Sequence, residues 1–264
     1  MFEYLPGSDL NQSMAAECVS ERSVYQVGHA CGTAVARLHL AGMSVVQAKG
    51  SAVLRQAGRL WSARLLAQSD KAASLLAAAG SVGDFESEAV ERAKRVVEAV
   101  RSWIEDGSAR FAAGCSTVVH GDLHGGNVVI HRPSSSSEPA MVFIDEQLTT
   151  GDGWFDVASL SSWAFEVLAE PRRAAYVTGL FDGYTAMLGG TAPANRVIIR
   201  YLALLSVCRL AYFARNRPQW QSPHGPGLLH RHLILLERIA KHRAAGRSNC
   251  EEPDSDLTWK EVFP

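Results

Sequence analysis

Hydrophobic positions recur with helical spacing over most of the chain. Between residues 20 and 40, Val24, Val27, Cys31, Ala34, Val35 and Leu38 fall three or four apart, which predicts an amphipathic helix. A second helical run covers 51–79. A third, over 85–104, sets Phe85, Ala89, Ala93, Val96, Val97, Val100 and Ile104 on one face, and adds Glu88–Arg92 and Glu91–Arg95 at the favourable i,i+4 spacing. The period then changes. Residues 116–119, 128–131 and 141–144 are short, β-branched runs bounded by turn residues, which predicts strands. A Pro- and Ser-rich stretch at 133–139 joins the last two as a hairpin tip. Helical patterning returns near 155–169, 172–188, 194–216 and 227–245, and from 246 the chain is polar and acidic, as a loose tail would be. No repeat of 20–50 residues is present. The expected fold class is α+β, mainly α-helical, with one small β-hairpin insert in its middle.

Composition narrows this picture. With 47% hydrophobic and 20% charged residues, the 264-residue chain can bury enough surface to offset its ordering entropy, so wholesale disorder is excluded. A formal charge of −1 gives no reason to expect a nucleic-acid partner, whose binding rests on neutralising phosphates. The total conceals an asymmetry. Residues 81–160 carry 13 acidic against 6 basic side chains, whereas 161–250 carry 4 against 12. Five cysteines without a C-x-x-C pair predict free thiols in a reducing compartment. The opening residues lack the basic and apolar regions of a signal peptide. The most apolar stretch, 197–214, contains Arg200 and Arg209, which a membrane span would rarely tolerate. A soluble, cytoplasmic chain with no membrane partner is the expectation.

Polar chemistry concentrates in the β insert. His120-Gly121-Asp122-Leu123-His124-Gly125-Gly126-Asn127 lies between two predicted strands, and Asp145 follows the third directly in Phe143-Ile144-Asp145. Two acids and an amide held at strand ends can converge on one small volume. Carboxylate and amide oxygens are the hard ligands magnesium prefers, often with phosphate oxygens completing its octahedron. A further carboxylate beside them can accept a proton from an attacking hydroxyl. Asp-x-x-x-x-Asn, followed by a hydrophobic strand pair and a second Asp, is the spacing of a kinase catalytic loop and its metal-binding Asp.

The sequence resembles the aminoglycoside phosphotransferase and choline kinase family, of protein-kinase-like fold. The matching residues are H-G-D-L-H-G-G-N at 120–127, F-I-D at 143–145 and G-D-G-W-F-D-V-A at 151–158. An upstream A-R-L-H at 36–39 is similar to the family's L-x-x-L-H helix end, and F-E-Y-L-P-G at 2–7 to the hinge between its lobes. The resemblance implies a C-lobe over 11–246, preceded by a hinge-like segment at 1–10 and followed by a polar tail at 247–264. It implies transfer of the γ-phosphoryl group of ATP, or another nucleoside triphosphate, to a hydroxyl of a small molecule, with Mg2+ as cofactor. Asp122 would be the catalytic base. Asn127 and Asp145 would hold the nucleotide-bound magnesium. Asp156 would support the catalytic loop by accepting hydrogen bonds from its backbone, and His120 and Gly121 would shape that loop. Glu146 departs from the pattern, standing where the family often has an aromatic or apolar residue.

The N-lobe is the expected part that the pattern lacks. There is no G-x-G-x-x-G and no Walker A motif, and Val45-Val46-Gln47-Ala48-Lys49, although similar to a V-A-I-K strand, follows the first helix rather than preceding the hinge. The chain therefore reads as a C-lobe alone. The alternative to an active enzyme is a catalytically silent kinase-like binding module or truncated remnant. A different rival, the G-D-x-H-G of metallophosphoesterases, would need G-D-x-x-D and G-N-H-[DE] segments downstream for a two-metal site, and neither is present. The basic balance of 161–250 argues against a polycationic acceptor and for a neutral or anionic one.

Overall fold

A computed structural model describes residues 7–15, 19–79, 87–131, 140–190, 195–215 and 225–247. The described residues are mostly helical, with two small antiparallel sheets. In chain order they form β1 (Ser8–Asp9), α1 (Leu10–Ala15), α2 (Glu21–Gln47), α3 (Ser51–Ala79), α4 (Ser87–Asp106), α5 (Ser108–Gly114) and β2 (Thr117–Val119). A single 3-10 turn at Gly125–Asn127 leads into β3 (Val128–His131), β4 (Ala140–Phe143) and β5 (Thr149–Gly151). Helices α6 (Trp154–Val167), α7 (Arg172–Met187), α8 (Asn195–Arg215) and α9 (Gly225–Arg247) complete the order. The chain divides into two compact units, Met1–Arg55 with Gly114–Ala192, and Gln56–Ala113 with Pro193–Pro264.

The first unit contains both sheets and is organised by α2 and α7. Helix α2 starts where the Ser20 hydroxyl accepts the Ser23 N–H at 3.2 Å, which satisfies one of the free amides of its first turn. Its buried stripe is Val24, Cys31, Val35, Ala36, His39 and Val46. Glycines let α7 approach at backbone distance. Gly28 and Gly32 on α2 and Gly179 and Gly183 on α7 stand four residues apart on one face of each helix. A Cβ at Gly32 would lie 2.1 Å from the Leu180 carbonyl oxygen, and one at Gly183 would lie 2.1 Å from that of His29. The contact is reciprocal, each helix seating the other's backbone.

The described residues of the second unit are helical. Trp61, Leu65, Ala72 and Leu76 on α3 and Ala93, Val97, Val100 and Ile104 on α4 are buried at helical spacing. Helix α8 buries Ile198, Ile199, Tyr201, Leu202, Ala203 and Leu204 in near succession, so it runs through the interior of this unit. Phe111 stacks on Tyr201 with ring centroids 4.9 Å apart. Arg92 on α4 grips Glu237 on α9 through both carboxylate oxygens. Buried His232 meets the Ser206 hydroxyl at 3.1 Å.

The predicted helices all form, with ends shifted by a few residues; α2 runs seven residues further than its pattern required. Two short helices and two short strands, α1, α5, β1 and β5, have no signal of their own. Val45, Val46 and Gln47 are the helical end of α2 rather than a strand, and Lys49 is exposed in the turn after it. Of the hinge-like segment 2–7 only Gly7 is described. The 133–139 loop and residues 248–264 of the tail lie outside the described residues. No helix among the described residues is long and apolar enough to cross a membrane.

Candidate active site

The two sheets hold two loops side by side. Strand β3 pairs with β4, Val128 opposite Phe143, and β2 pairs with β5, Val119 opposite Thr149. Residues 120–127 therefore leave β2 and join β3, while 144–148 leave β4 and join β5. Each loop is pinned at both ends by a strand paired to the other's strand. Backbone bonds then rivet the loops together: the Ile144 N–H donates to Asn127 O and the Gln147 N–H to His120 O, both at 3.0 Å. This is how residues seventeen or more apart in sequence become neighbours. A hairpin alone could not do it, because β5 is needed to return the second loop.

His120 is fully buried between the loops. Its Nε2–H donates to the Ile144 carbonyl at 3.1 Å, so Nδ1 carries the lone pair that faces the Asp122 N–H at 3.4 Å. Its ring meets Phe143 edge to face. Gly121 has φ +85, a conformation side-chain-bearing residues rarely adopt, and turns the chain so that Asp122 is exposed. Asn127 is buried and donates its side-chain N–H to the Asp122 carbonyl at 2.9 Å. Its Oδ1 is then its acceptor atom. Asp145 has φ 55, a left-handed backbone that costs roughly 1–2 kcal/mol in an L-residue and that Asp tolerates better than most. Its carboxylate is exposed, as is that of Glu146.

Asp156, in the first turn of α6 and fully buried, closes the arrangement from below. Its Oδ2 accepts the His120 N–H at 2.7 Å and its Oδ1 the Gly121 N–H at 3.1 Å. A carboxylate can accept several bonds but donate none, so it suits a place where consecutive amides converge. His39 of α2 brings Nε2 to the same Oδ2 at 3.0 Å, and the Tyr184 hydroxyl of α7 meets His39 Nδ1 at 2.8 Å. Burial, and then the nearby carboxylates Asp152 and Asp156, push the Tyr184 phenol well above its ordinary value, so it keeps its proton. Asp152 stands just before Gly153, the N-cap of α6, and its Oδ1 accepts the Trp154 N–H at 3.0 Å. The Cys115 thiol is pushed up to about 11, by burial first and by Asp152 second.

A second support was not visible in the sequence. Gly125 packs so closely on the Trp163 indole that a Cβ would come within 2.2 Å of it, and the Trp163 Nε1–H donates to Asn11 Oδ1 at 2.6 Å. His124 stays local: its Nδ1 accepts the Gly126 N–H at 3.1 Å and caps the 3-10 turn. Of the residues outside the sequence motifs, Asn11 and Tyr184 carry no local signal; His39 had one, as the last residue of A-R-L-H.

Residues 1–190 match the model of the phosphotransferase enzyme family, known as APH, and the chain belongs to that family. Among solved structures it is similar to a glucosamine kinase, with TM-score 0.58 and 18% identity over 93% of this chain and 63% of the other. It is also similar to a glucosamine kinase in complex with glucosamine, ADP and inorganic phosphate, with TM-score 0.56 and 18% identity over 89% of this chain and 58% of the other. At that identity the likeness is one of fold, and the chain spans about three fifths of the length of those structures. Comparison with curated proteins gives no match.

The donor set can be tested against the Mg2+ that the family resemblance implies. Among the described residues, no three His, Cys, Asp or Glu side chains converge as an all-protein metal cage would require. Magnesium seldom uses such a cage; it takes one or two protein oxygens and completes its shell with water and phosphate. The Asp145 carboxylate and Asn127 Oδ1, on riveted loops, are oxygens of that kind, so the residues fit.

Proposed function

We propose that this protein transfers the γ-phosphoryl group of ATP, or another nucleoside triphosphate, to a hydroxyl of a small molecule. The observation that carries the reading is the pair of riveted loops, which presents Asp122, Asn127 and Asp145 from one rigid support. Asp122 is the base: exposed at its loop, it takes the proton of the acceptor hydroxyl as that oxygen bonds to the γ-phosphorus. The bond from phosphorus to the β–γ bridging oxygen breaks, and the nucleoside diphosphate leaves. Asn127 and Asp145 hold Mg2+, which supplies charge neutralisation on the phosphates. His120, Gly121 and Asp156 keep the loop in shape, which matters because positioning provides much of the catalysis in this reaction class.

The names of the solved neighbours suggest an amino sugar as one acceptor to try, whereas the basic balance of 161–250 favours a neutral or anionic one. The test is nucleoside diphosphate release over a panel that includes glucosamine, neutral sugars and anionic polyols, with wild type and Asp122→Ala compared. The expected loss in the variant is about 10²–10⁴-fold, the usual contribution of a general base. Unchanged turnover would remove Asp122 from that role. Absence of both turnover and calorimetric Mg–ATP binding in wild type would instead favour a silent binding module.

A further inference from the structure

The loop's buried anchor has an anchor of its own. Asp156 spends Oδ2 on two donors, the His120 N–H at 2.7 Å and His39 Nε2 at 3.0 Å. A carboxylate free to rotate about χ2 could not keep both oxygens on the His120 and Gly121 amides, which demand one plane. His39 supplies the third direction. It is 1% exposed, its ring lies edge-on to Tyr184, and its own carbonyl accepts the Thr117 hydroxyl of β2. Its tautomer follows from its partners. The Tyr184 O–H donates to Nδ1, which leaves the ring proton on Nε2, the atom that faces Asp156. A chain of hydrogen bonds thus runs from α7 through α2 to the first turn of α6, where Asp156 accepts both from His39 and from the backbone that carries Asp122.

We propose that His39 is a positioning residue: its Nε2–H fixes the plane of the Asp156 carboxylate, and through it the His120–Asp122 backbone, with Tyr184 selecting the required tautomer. The catalytic consequence rests on the phosphotransferase reading above; the consequence for the loop does not. Substitutions at His39 separate its two nitrogens. His39→Gln places an amide N–H where Nε2 stands, His39→Asn mimics only Nδ1, and His39→Leu supplies neither.

The experiment measures amide exchange at His120 and Gly121 in the three variants, exchange in α4 as a reference, and kcat and KM for ATP. Leu and Asn are expected to speed exchange at His120 and Gly121 about tenfold or more relative to α4, the loss of one bond to a charged acceptor. They should lower kcat about ten- to a hundredfold with KM changed less than about twofold, as misplacement of a reacting group does. Gln should restore both most of the way, and Tyr184→Phe should act in the same direction as Leu but more weakly. If Gln behaves like Leu, or if exchange in α4 rises as much as at the loop, His39 is only a packing residue and the proposal falls. Were wild-type turnover absent, or unaffected by Asp122→Ala, the phosphotransferase reading would fail while the exchange comparison still decided the role of His39.

Discussion

Gly32→Ala tests whether backbone contact between α2 and α7 organises the first unit. The added Cβ would lie 2.1 Å from Leu180 O, 2.8 Å from Tyr184 N and 2.9 Å from Leu180 C, whereas real Cβ contacts stay beyond 3.0 Å. All three atoms are backbone, so no side chain can rotate away and the helices themselves must part by roughly 1 Å. Two terms oppose each other. Alanine gains about 1 kcal/mol over glycine in a helix interior. Overpacking typically costs about 1–3 kcal/mol, and an unyielding backbone neighbour puts this site at the upper end. The expected net loss is about 2 kcal/mol, or a Tm lower by about 4–8 °C in a chain of this size. Urea unfolding at constant m measures the first and a thermal melt the second. Gly227→Ala is the control, because a Cβ there meets nothing within 4 Å. It should be neutral or gain up to about 1 kcal/mol. If Gly32→Ala behaves like that control, the close contact between α2 and α7 is not what holds them in place.

Three further outcomes follow from the site and the buried thiols. Asp156→Asn keeps one acceptor oxygen but turns an N–H toward one of the loop amides, so urea unfolding should show a loss of about 1.5–3 kcal/mol; Asp156→Ala, which leaves three donors without their acceptor, two of them on buried residues, should lose about 3 kcal/mol or more. Asp145→Gly should be more stable than Asp145→Ala by about 0.5–1 kcal/mol, because glycine relieves the φ 55 backbone and alanine does not, while both lose phosphoryl transfer; equal stabilities would mean that the backbone relaxes without cost. Burial raises the Cys31 thiol to about 12 and the Cys208 thiol to about 11. Since the unfolded chain ionises them near 9, their contribution is intact below about pH 9 and is lost as pH rises toward 11–12. Alkaline unfolding curves should steepen in that window, and Cys31→Ala with Cys208→Ala should flatten it.

Periodicity alone determined the long helices, because a stripe that must be buried every 3.6 residues is written locally, as in Ala93, Val97, Val100 and Ile104. The spacing Asp122, Asn127, Asp145 was equally legible, since the loops that hold them sit next to short β-branched runs bounded by turn residues. Strands of two or three residues such as β1 and β5 carry too few side chains for a period, and exist only because β3 and β2 offer them partners. Asp156 was named as a support of the loop by the family resemblance, but the same reason hid the partners that hold Asp156 in turn. Nothing near residue 39 in the sequence reveals that its ring will meet a carboxylate at 156 and a hydroxyl at 184; those contacts appear only once Gly28, Gly32, Gly179 and Gly183 let two helices meet at backbone distance. The sequence by itself determined which residues are the candidates for the chemistry and beside which elements they stand. Only the tertiary structure decided that His39, Tyr184, Trp163 and Asn11 stand behind them, because a buried hydrogen bond depends on partners brought together by packing rather than by neighbourhood in the chain.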